Sequence, residues 1–367
     1  MTDYYIGLMS GTSMDGIDAA LVSFEESSVN FIQTLEHRYP VDLRDSLLRA
    51  VREPRHCTVD DIGALDRRVG VCFRDAGIAI QERAGIDAAK ILAIGSHGQT
   101  LRHQPDAPHP FTMQIGDPSI IAAGTGVTTV ANFRSSDMAH GGQGAPLVPP
   151  FHEWLFHAAG KHRVVLNIGG MANITVLAAG GEKTTGFDTG PGNTLLDAWI
   201  EQHLGKSFDK DGAWSASGEV NKDLLTRLLA DPYFRNPPPK STGLEYFHLD
   251  WLEAANIDGF NPVDVQATLC ALTAASVAMT IQSVAPKTAE LFVCGGGVNN
   301  REIMRALAAA LPDTKLASTA ALGLDPNWVE AAAFAWLAMR TLHGLPGNLP
   351  SVTGASRATI LGAIYPA

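Results

Sequence analysis

Gly11-Thr12-Ser13-Met14-Asp15-Gly16-Ile17-Asp18 is the stretch whose reading decides the fold. A short apolar run, Tyr4 to Met9, precedes it, and a second, Ile17 to Phe24 with Ala19, Ala20, Leu21 and Val22, follows. Both runs read as strands by length and apolar content. The segment joining them is built almost wholly from Ser, Gly, Thr and Asp. Small residues let the main chain come close to a ligand, and successive N–H groups in such a turn form a concavity suited to an anion. Strand, small-residue turn and returning strand together make a phosphate-gripping hairpin, which points to a nucleotide enzyme.

Bulk properties narrow the partners. The chain has 367 residues, enough for two domains of ordinary size or one large one. Hydrophobic residues make up 46%, which supports a packed core rather than disorder. The formal net charge is −11 and no Lys/Arg-rich run appears, so nucleic acid and anionic membrane surfaces are set aside as partners. Cys57, Cys72, Cys270 and Cys294 show no metal-type spacing and sit among apolar neighbours, so they read as buried free thiols. No basic segment leading into an apolar one precedes the first strand, and no run of eighteen apolar residues occurs. The expectation is a cytoplasmic protein.

Along the chain, strands run to about Arg38 and helices follow. Val41 to Val51 and Thr58 to Ala84 have apolar residues at helical spacing, the second opened by Thr58 as N-cap with Asp60 and Asp61 in its first turn. Lys90 to Ile94 reads as a buried strand, Arg102 to Pro110 as a loop, Phe111 to Ile115 as a strand, Asp117-Pro118-Ser119 as a helix start, and Asn132 to Pro146 as a polar loop. The second half restarts the grammar of the first. Arg163 to Ile168 is a strand, Gly169 to Asn173 a small-residue turn and Ile174 to Ala178 a returning strand, so the pattern of residues 6–22 recurs near 163–178. A helix over Thr194 to His203, a loop around Pro237-Pro238-Pro239, a long apolar helix from Val263 to about Val284, a strand over Ala289 to Cys294 and a helix over Asn327 to His343 complete an α/β order.

Three Gly-rich turns, Ser10 to Gly16, Gly169 to Asn173 and Gly295 to Asn299, each follow a buried strand. Their combination favours a nucleotide site, while neither the Rossmann nor the P-loop pattern is present. Asp188 lies in Gly186-Phe187-Asp188-Thr189-Gly190-Pro191-Gly192-Asn193, which reads as a loop rich in Gly and Pro whose tightly shaped backbone runs into a helix that Asn193 is placed to cap. It reads either as a catalytic carboxylate or as an acid that closes a turn. His97, in Ser96-His97-Gly98-Gln99, reads as a base or as a binding or structural group. Arg134 suits a carboxylate or phosphate clamp, or a surface pair with Asp137. Glu330 faces ribose or solvent.

Seven segments resemble the anhydro-N-acetylmuramic acid kinase family of bacterial cell-wall recycling, in order through nearly the full length. They are I-G-L-M-S-G-T-S-M-D-G-I-D at 6–18, G-S-H-G-Q-T at 95–100, N-F-R at 132–134, G-G-Q-G-A-P-L-V-P at 141–149, N-I-G-G-M-A-N-I-T at 167–175, F-D-T-G-P-G-N at 187–193 and C-G-G-G-V-N-N at 294–300. The resemblance implies a two-lobed actin-like ATPase (ribonuclease H-like) α/β fold with the nucleotide in the cleft between lobes, one lobe being 1–145 plus 346–367 and the other 146–345. It implies ATP with Mg²⁺ as cofactors, a small sugar as substrate, and a homodimer. ATP contacts are expected from Gly11, Thr12, Ser13, Met14, Asp15, Gly16, Ile17, Asp18, Gly169, Gly170, Asn173, Gly295, Gly296, Gly297, Asn299 and Glu330. Sugar contacts are expected from Ser96, His97, Gln99, Arg134, Asp137, Gly190 and Asn193, with Asp188 as the catalytic carboxylate. The wider superfamily carries an Asp two residues before the Gly-Thr pair that helps hold hydrated Mg²⁺. Met9 stands there instead, leaving the metal ligands unassigned. Ordinary phosphorylation of a free sugar hydroxyl, or a nucleotide-switched actin-like module, is the alternative.

Overall fold

In the computed structural model, which describes residues 2–238 and 240–367, the apolar run at the N-terminus becomes β1 (Tyr4–Met9) and returns as β2 (Gly16–Glu25), then β3 (Ser28–Arg38). Later strands are β4 (Ile91–Ser96), β5 (Gln99–Gln104), β6 (Phe111–Ile115), β7 (Thr129–Ala131), β8 (Arg163–Ile168), β9 (Met171–Leu177), β10 (Thr185–Pro191), β11 (Glu290–Cys294), β12 (Lys315–Ser318) and β13 (Ala363–Tyr365). One sheet has the order β13-β7-β4-β1-β2-β3 and another β10-β9-β8-β11-β12. In both, three antiparallel strands are followed by two that run parallel to the first. The order 3-2-1-4-5 therefore occurs twice, which is the ribonuclease H-like arrangement of the actin-like fold. The repeat expected between residues 6–22 and 163–178 is the β1–β2 and β8–β9 hairpin at equivalent places in the two sheets.

The chain divides into two compact units, Met1–Leu155 with Trp328–Ala367, and Phe156–Asn327. The junctions differ from those expected, lying at 155 rather than 145 and at 328 rather than 346. The helix Val329–Leu342 explains the second difference. Gly7 and Gly95 pair across β1 and β4, and a Cβ on either would overlap a carbonyl of this helix, Ala331 for Gly7 and Phe334 for Gly95. The helix answers with Ala331, Ala335 and Ala338, all buried. Its close seat on the first sheet puts it in the first unit.

Local chemistry sets the other ends. Thr58 caps the helix Val59–Ala84 in a capping box with Asp61. Asp117 accepts from the Ser119 N–H at the start of the helix Pro118–Thr125. Four sequence expectations are corrected. Arg102–Gln104 continue β5, held against β6, and Asn132–Pro146 contains the helix Phe133–Ala139. Residues 185–191 form a strand rather than a loop, because β9 offers them a paired edge. Asn173 lies in β9 rather than in a turn. Pro237 and Pro238 are in irregular chain, as expected, while Pro239 is outside the described residues. The long apolar helix is Pro262–Val284. It is long and apolar enough to cross a membrane, yet most of it is buried among the second unit's core residues. Three of the four cysteines are buried, Cys57 is partly so, and all are free.

Gly95→Ala should lower stability by about 1–3 kcal/mol through overpacking. The measurement is a urea midpoint at unchanged slope, and an unmoved midpoint would contradict the close approach of helix and strand.

Candidate active site

In the first unit the hairpin turn is held from within. Ser10 Oγ lies 2.7 Å from both the Gly16 carbonyl and Gln99 Oε1, and Gln99 Nε2 donates to the Gly11 carbonyl at 3.1 Å. Gln99 is thus a staple of the turn. Met14 takes a positive φ of 52°, and its side chain enters the core. Ile17 is fully buried as well, so these two offer a ligand only main chain. Thr12, Ser13 and Asp15 are exposed, and Ser13 Oγ donates to Asp15 Oδ1 at 2.6 Å. Gly16 is required where it stands, since a Cβ would press on the His37 carbonyl at 2.7 Å.

Asp18 lies directly opposite Met9 in the β1–β2 register. Burial, then the charges of Asp15, Glu330 and Glu36, push its carboxyl up to about 7. This edge of the turn therefore gathers carboxyl groups whose mutual repulsion adds to the effect of burial. Among the described residues no group of three or more His, Cys, Asp or Glu side chains is arranged to hold a metal by itself. Mg²⁺ keeps several waters and is usually held by phosphates plus one or two carboxylates. Asp18 and Glu330 fit the carboxylate part of such a set.

His97 and Arg134 come together. His97 Nδ1 is 2.9 Å from the Gly98 carbonyl, which only accepts, so Nδ1 carries the proton. Nε2 is then the acceptor for Arg134, whose guanidinium lies 2.8 Å and 3.3 Å away and also donates to the Gly144 carbonyl at 2.8 Å. Burial first, and the Arg134 charge second, push His97 down to about 3. Its ring is a fixed neutral acceptor, which leaves no room for the base role weighed above. Asp137 is fully buried rather than at the surface. It accepts from the Gly144 N–H (2.8 Å), Asn348 Nδ2 (2.7 Å) and Thr353 Oγ1 (2.7 Å), tying the segment after residue 140 to residues 348–353. Ser96 is buried with its hydroxyl unpartnered among the described residues.

In the second unit three glycine turns are knitted together. The N–H groups of Gly192 and Thr194 donate to the Gly170 carbonyl at 2.8 and 3.1 Å, and the Asn193 N–H donates to the Gly169 carbonyl at 2.9 Å. Asn193 does not cap its helix with its side chain, which donates instead to the carbonyls of Ile168 and Gly169. Cβ atoms at Gly295 and Gly297 would strike Ile168. Gly296 and Asn299 are exposed beside this cluster, and Asn299 Nδ2 donates to Asn327 Oδ1 at 3.4 Å.

Asp188 sits on β10 opposite Asn173, at the bulge before Gly190. Its N–H donates to the Lys240 carbonyl (3.1 Å), its carbonyl accepts from the Tyr233 hydroxyl (3.0 Å), and its Oδ2 accepts from the Thr242 N–H (3.0 Å). A side chain at Gly190 would meet the Phe234 ring at 2.7 Å. Lys240, Tyr233 and Thr242 escaped the sequence reading. No spacing rule links Thr242 to an acid 54 positions earlier, and a lone lysine after three prolines carries no periodic signal.

The twice-repeated strand order, with a phosphate-type hairpin in one unit and a caged acid beside glycine turns in the other, places the chain in the actin-like class to which sugar kinases belong. The profile described as anhydro-N-acetylmuramic acid kinase matches residues 3–367. The anhydro-N-acetylmuramic acid kinase of Coxiella burnetii (strain Dugway 5J108-111) is 50% identical over 364 residues, covering 98% of this chain and 97% of that protein. That of Shewanella sp. (strain MR-7) is 53% identical over 367 residues, covering 99% of each. Among solved structures, the activator of 2-hydroxyisocaproyl-CoA dehydratase from Clostridium difficile with bound ADPNP overlays with TM-score 0.46 and 11% identity, over 90% of this chain and 92% of that one. The chain belongs to the anhydro-N-acetylmuramic acid kinase family.

His97 makes acid stability measurable. Above its ordinary value near 6.5 the ring is neutral folded or unfolded. Below it the unfolded chain takes up a proton that the folded chain refuses until about pH 3. Stability is therefore full above 6.5 and lost as pH falls through this window, by up to about 1.4 kcal/mol per pH unit for one ring. Urea midpoints between about pH 6 and pH 4 should fall faster in the wild type than in His97→Gln, and equal slopes would contradict the assignment.

Proposed function

We propose that this chain converts 1,6-anhydro-N-acetylmuramic acid, ATP and water to N-acetylmuramic acid 6-phosphate and ADP in cell-wall recycling. Family membership supports the reaction, and the single structural observation that carries the mechanism is the caged Asp188 carboxylate beside the glycine turns. A 1,6-anhydro sugar has no free 6-hydroxyl, because that oxygen is tied to the anomeric carbon. Bridge opening and phosphate transfer must therefore go together.

Asp188 takes a proton from water as the water attacks C1, which develops oxocarbenium character. The C1–O6 bond breaks, and O6 bonds to the γ-phosphorus of ATP as the bond from that phosphorus to the ADP oxygen breaks. Phosphorus takes the part that a carboxylic acid plays in glycosidases, where it protonates the leaving oxygen. Main-chain N–H groups of the 11–18 turn cradle phosphate oxygens, as do those of Gly170, Gly296 and Gly297, whereas the Gly169 and Gly295 N–H groups are held by the Met171 and Pro326 carbonyls. Mg²⁺ neutralises charge on the phosphates when bound. Asp18 is the carboxylate we assign beside it, standing across the strand pair from Met9, with Glu330 as its neighbour. We assign the lactyl carboxylate of the sugar to Arg134, whose guanidinium also donates to His97 Nε2 and the Gly144 carbonyl. We also assign the chain the homodimer and the cytoplasmic setting of the resemblance, and its net charge of −11 supports the exclusion of nucleic-acid partners.

Asp188→Asn should lower turnover by about 10²–10⁴-fold while leaving ATP affinity in place. ADP release by coupled assay and ATP binding by calorimetry measure the two, and near-normal turnover would refute the role.

A further inference from the structure

We propose that Lys240 is a positioning residue for Asp188: its main chain fixes the strand that carries the acid, and its buried positive charge stands within electrostatic reach of the carboxylate. This inference rests on the reading of Asp188 as proton acceptor.

The geometry closes a ring around the acid. Lys240 is 9% exposed. Its Nζ donates to the Tyr233 carbonyl at 3.0 Å and stands 4.6 Å from the centre of the Tyr233 ring. Tyr233 in turn donates its hydroxyl to the Asp188 carbonyl, the Lys240 carbonyl accepts the Asp188 N–H, and Thr242, two residues on, donates its N–H to Oδ2. A desolvated ammonium is costly unless it is paired. One carbonyl and one π face are modest compensation, and the Asp188 charge adds to them. Burial lowers Lys240 below the usual lysine range while Asp188 opposes the fall. Burial raises the Tyr233 hydroxyl, and the Asp188 charge raises it further.

The other elements around the acid carry mostly uncharged polar groups. β9 presents neutral Asn173 opposite Asp188. The helix Pro262–Val284 presents the hydroxyls of Thr273, which donates to the carbonyls of Pro191 and Gly192, and of Ser276, near Gly190. The segment around Tyr233 adds Tyr246, and Asp231, which accepts from the Tyr233 N–H, the Tyr246 hydroxyl and Trp251 Nε1. Arg235, on the Tyr233 segment, and Glu245, beyond Thr242, are exposed, and among the described residues Lys240 is the buried cation of this set. It keeps the carboxylate in the charged form that a proton acceptor needs at neutral pH.

The test is the pH dependence of kcat for the full chain with Lys240→Met, Lys240→Gln and Lys240→Arg, with KM for ATP measured alongside. Loss of the charge should move the acid limb of the Met and Gln profiles to higher pH by about one unit or more, with turnover recovering on the alkaline side. Arg should keep the limb in place, and KM for ATP should hold in all three. If Met does not fold, Gln carries the same expectation with a smaller change of shape. An acid limb at the wild-type position in folded Met or Gln overturns the assignment. So does a limb displaced in Arg as in Met, or a loss equal at every pH in all three. The two readings fail separately: normal turnover in Asp188→Asn removes the acid's role, whereas an inactive Asp188→Asn with an unmoved Lys240→Met limb removes only the role of Lys240.

Discussion

Close main-chain approach of glycine turns to one another and to the end of β8 is the constraint on which the second unit's site depends. The turns at Gly169-Gly170 and Gly192 come from separate parts of the chain, yet their backbones are joined by direct hydrogen bonds, while Gly295 and Gly297 pack on Asn167 and Ile168 at the end of β8 so closely that neither admits a Cβ. Such an approach presents main chain instead of side chains at the surface of the cluster, which lets a ligand come close to the backbone. It also fixes where β10 ends, and so where the bulge that carries Asp188 falls.

The first unit meets the same demand differently. Its hairpin is stapled by Ser10 and Gln99 and packed from below by Met14 and Ile17. Its charge comes from β2 rather than β1, because Asp18 stands across from Met9. A carboxylate lost from one strand of a hairpin and present at the paired position of the other occupies nearly the same place, since paired side chains project from one face. Two sheets of one strand order thus carry unlike equipment, an acidic small-residue turn in one and a hydrogen-bonded Asp188 carboxylate in the other.

Much of this was readable in the residues, and the reasons are local. Strand–turn–strand patterns at 4–24 and 163–178 announce themselves by apolar runs around small residues, and the helix over 59–84 by its cap and periodicity. What escaped is long-range. Residues 185–191 look like a glycine-rich loop until a neighbouring edge makes them a strand. Asp137 looks like a surface acid until Asn348 and Thr353, more than 200 positions away, surround it. Lys240 and Tyr233 reach Asp188 only through the fold. His97 shows the limit in another form, for its residue type fits a base and only the partners of both ring nitrogens exclude that role.

The central claim is that solvent opens an intramolecular acetal under Asp188 while phosphorus captures the freed oxygen. Turnover in ¹⁸O-water, quenched before the product's anomeric oxygen exchanges and compared with preformed product, tests it most directly. The account predicts one solvent oxygen at C1 and none in the phosphate. An unlabelled C1, or label delivered to phosphorus, would contradict it.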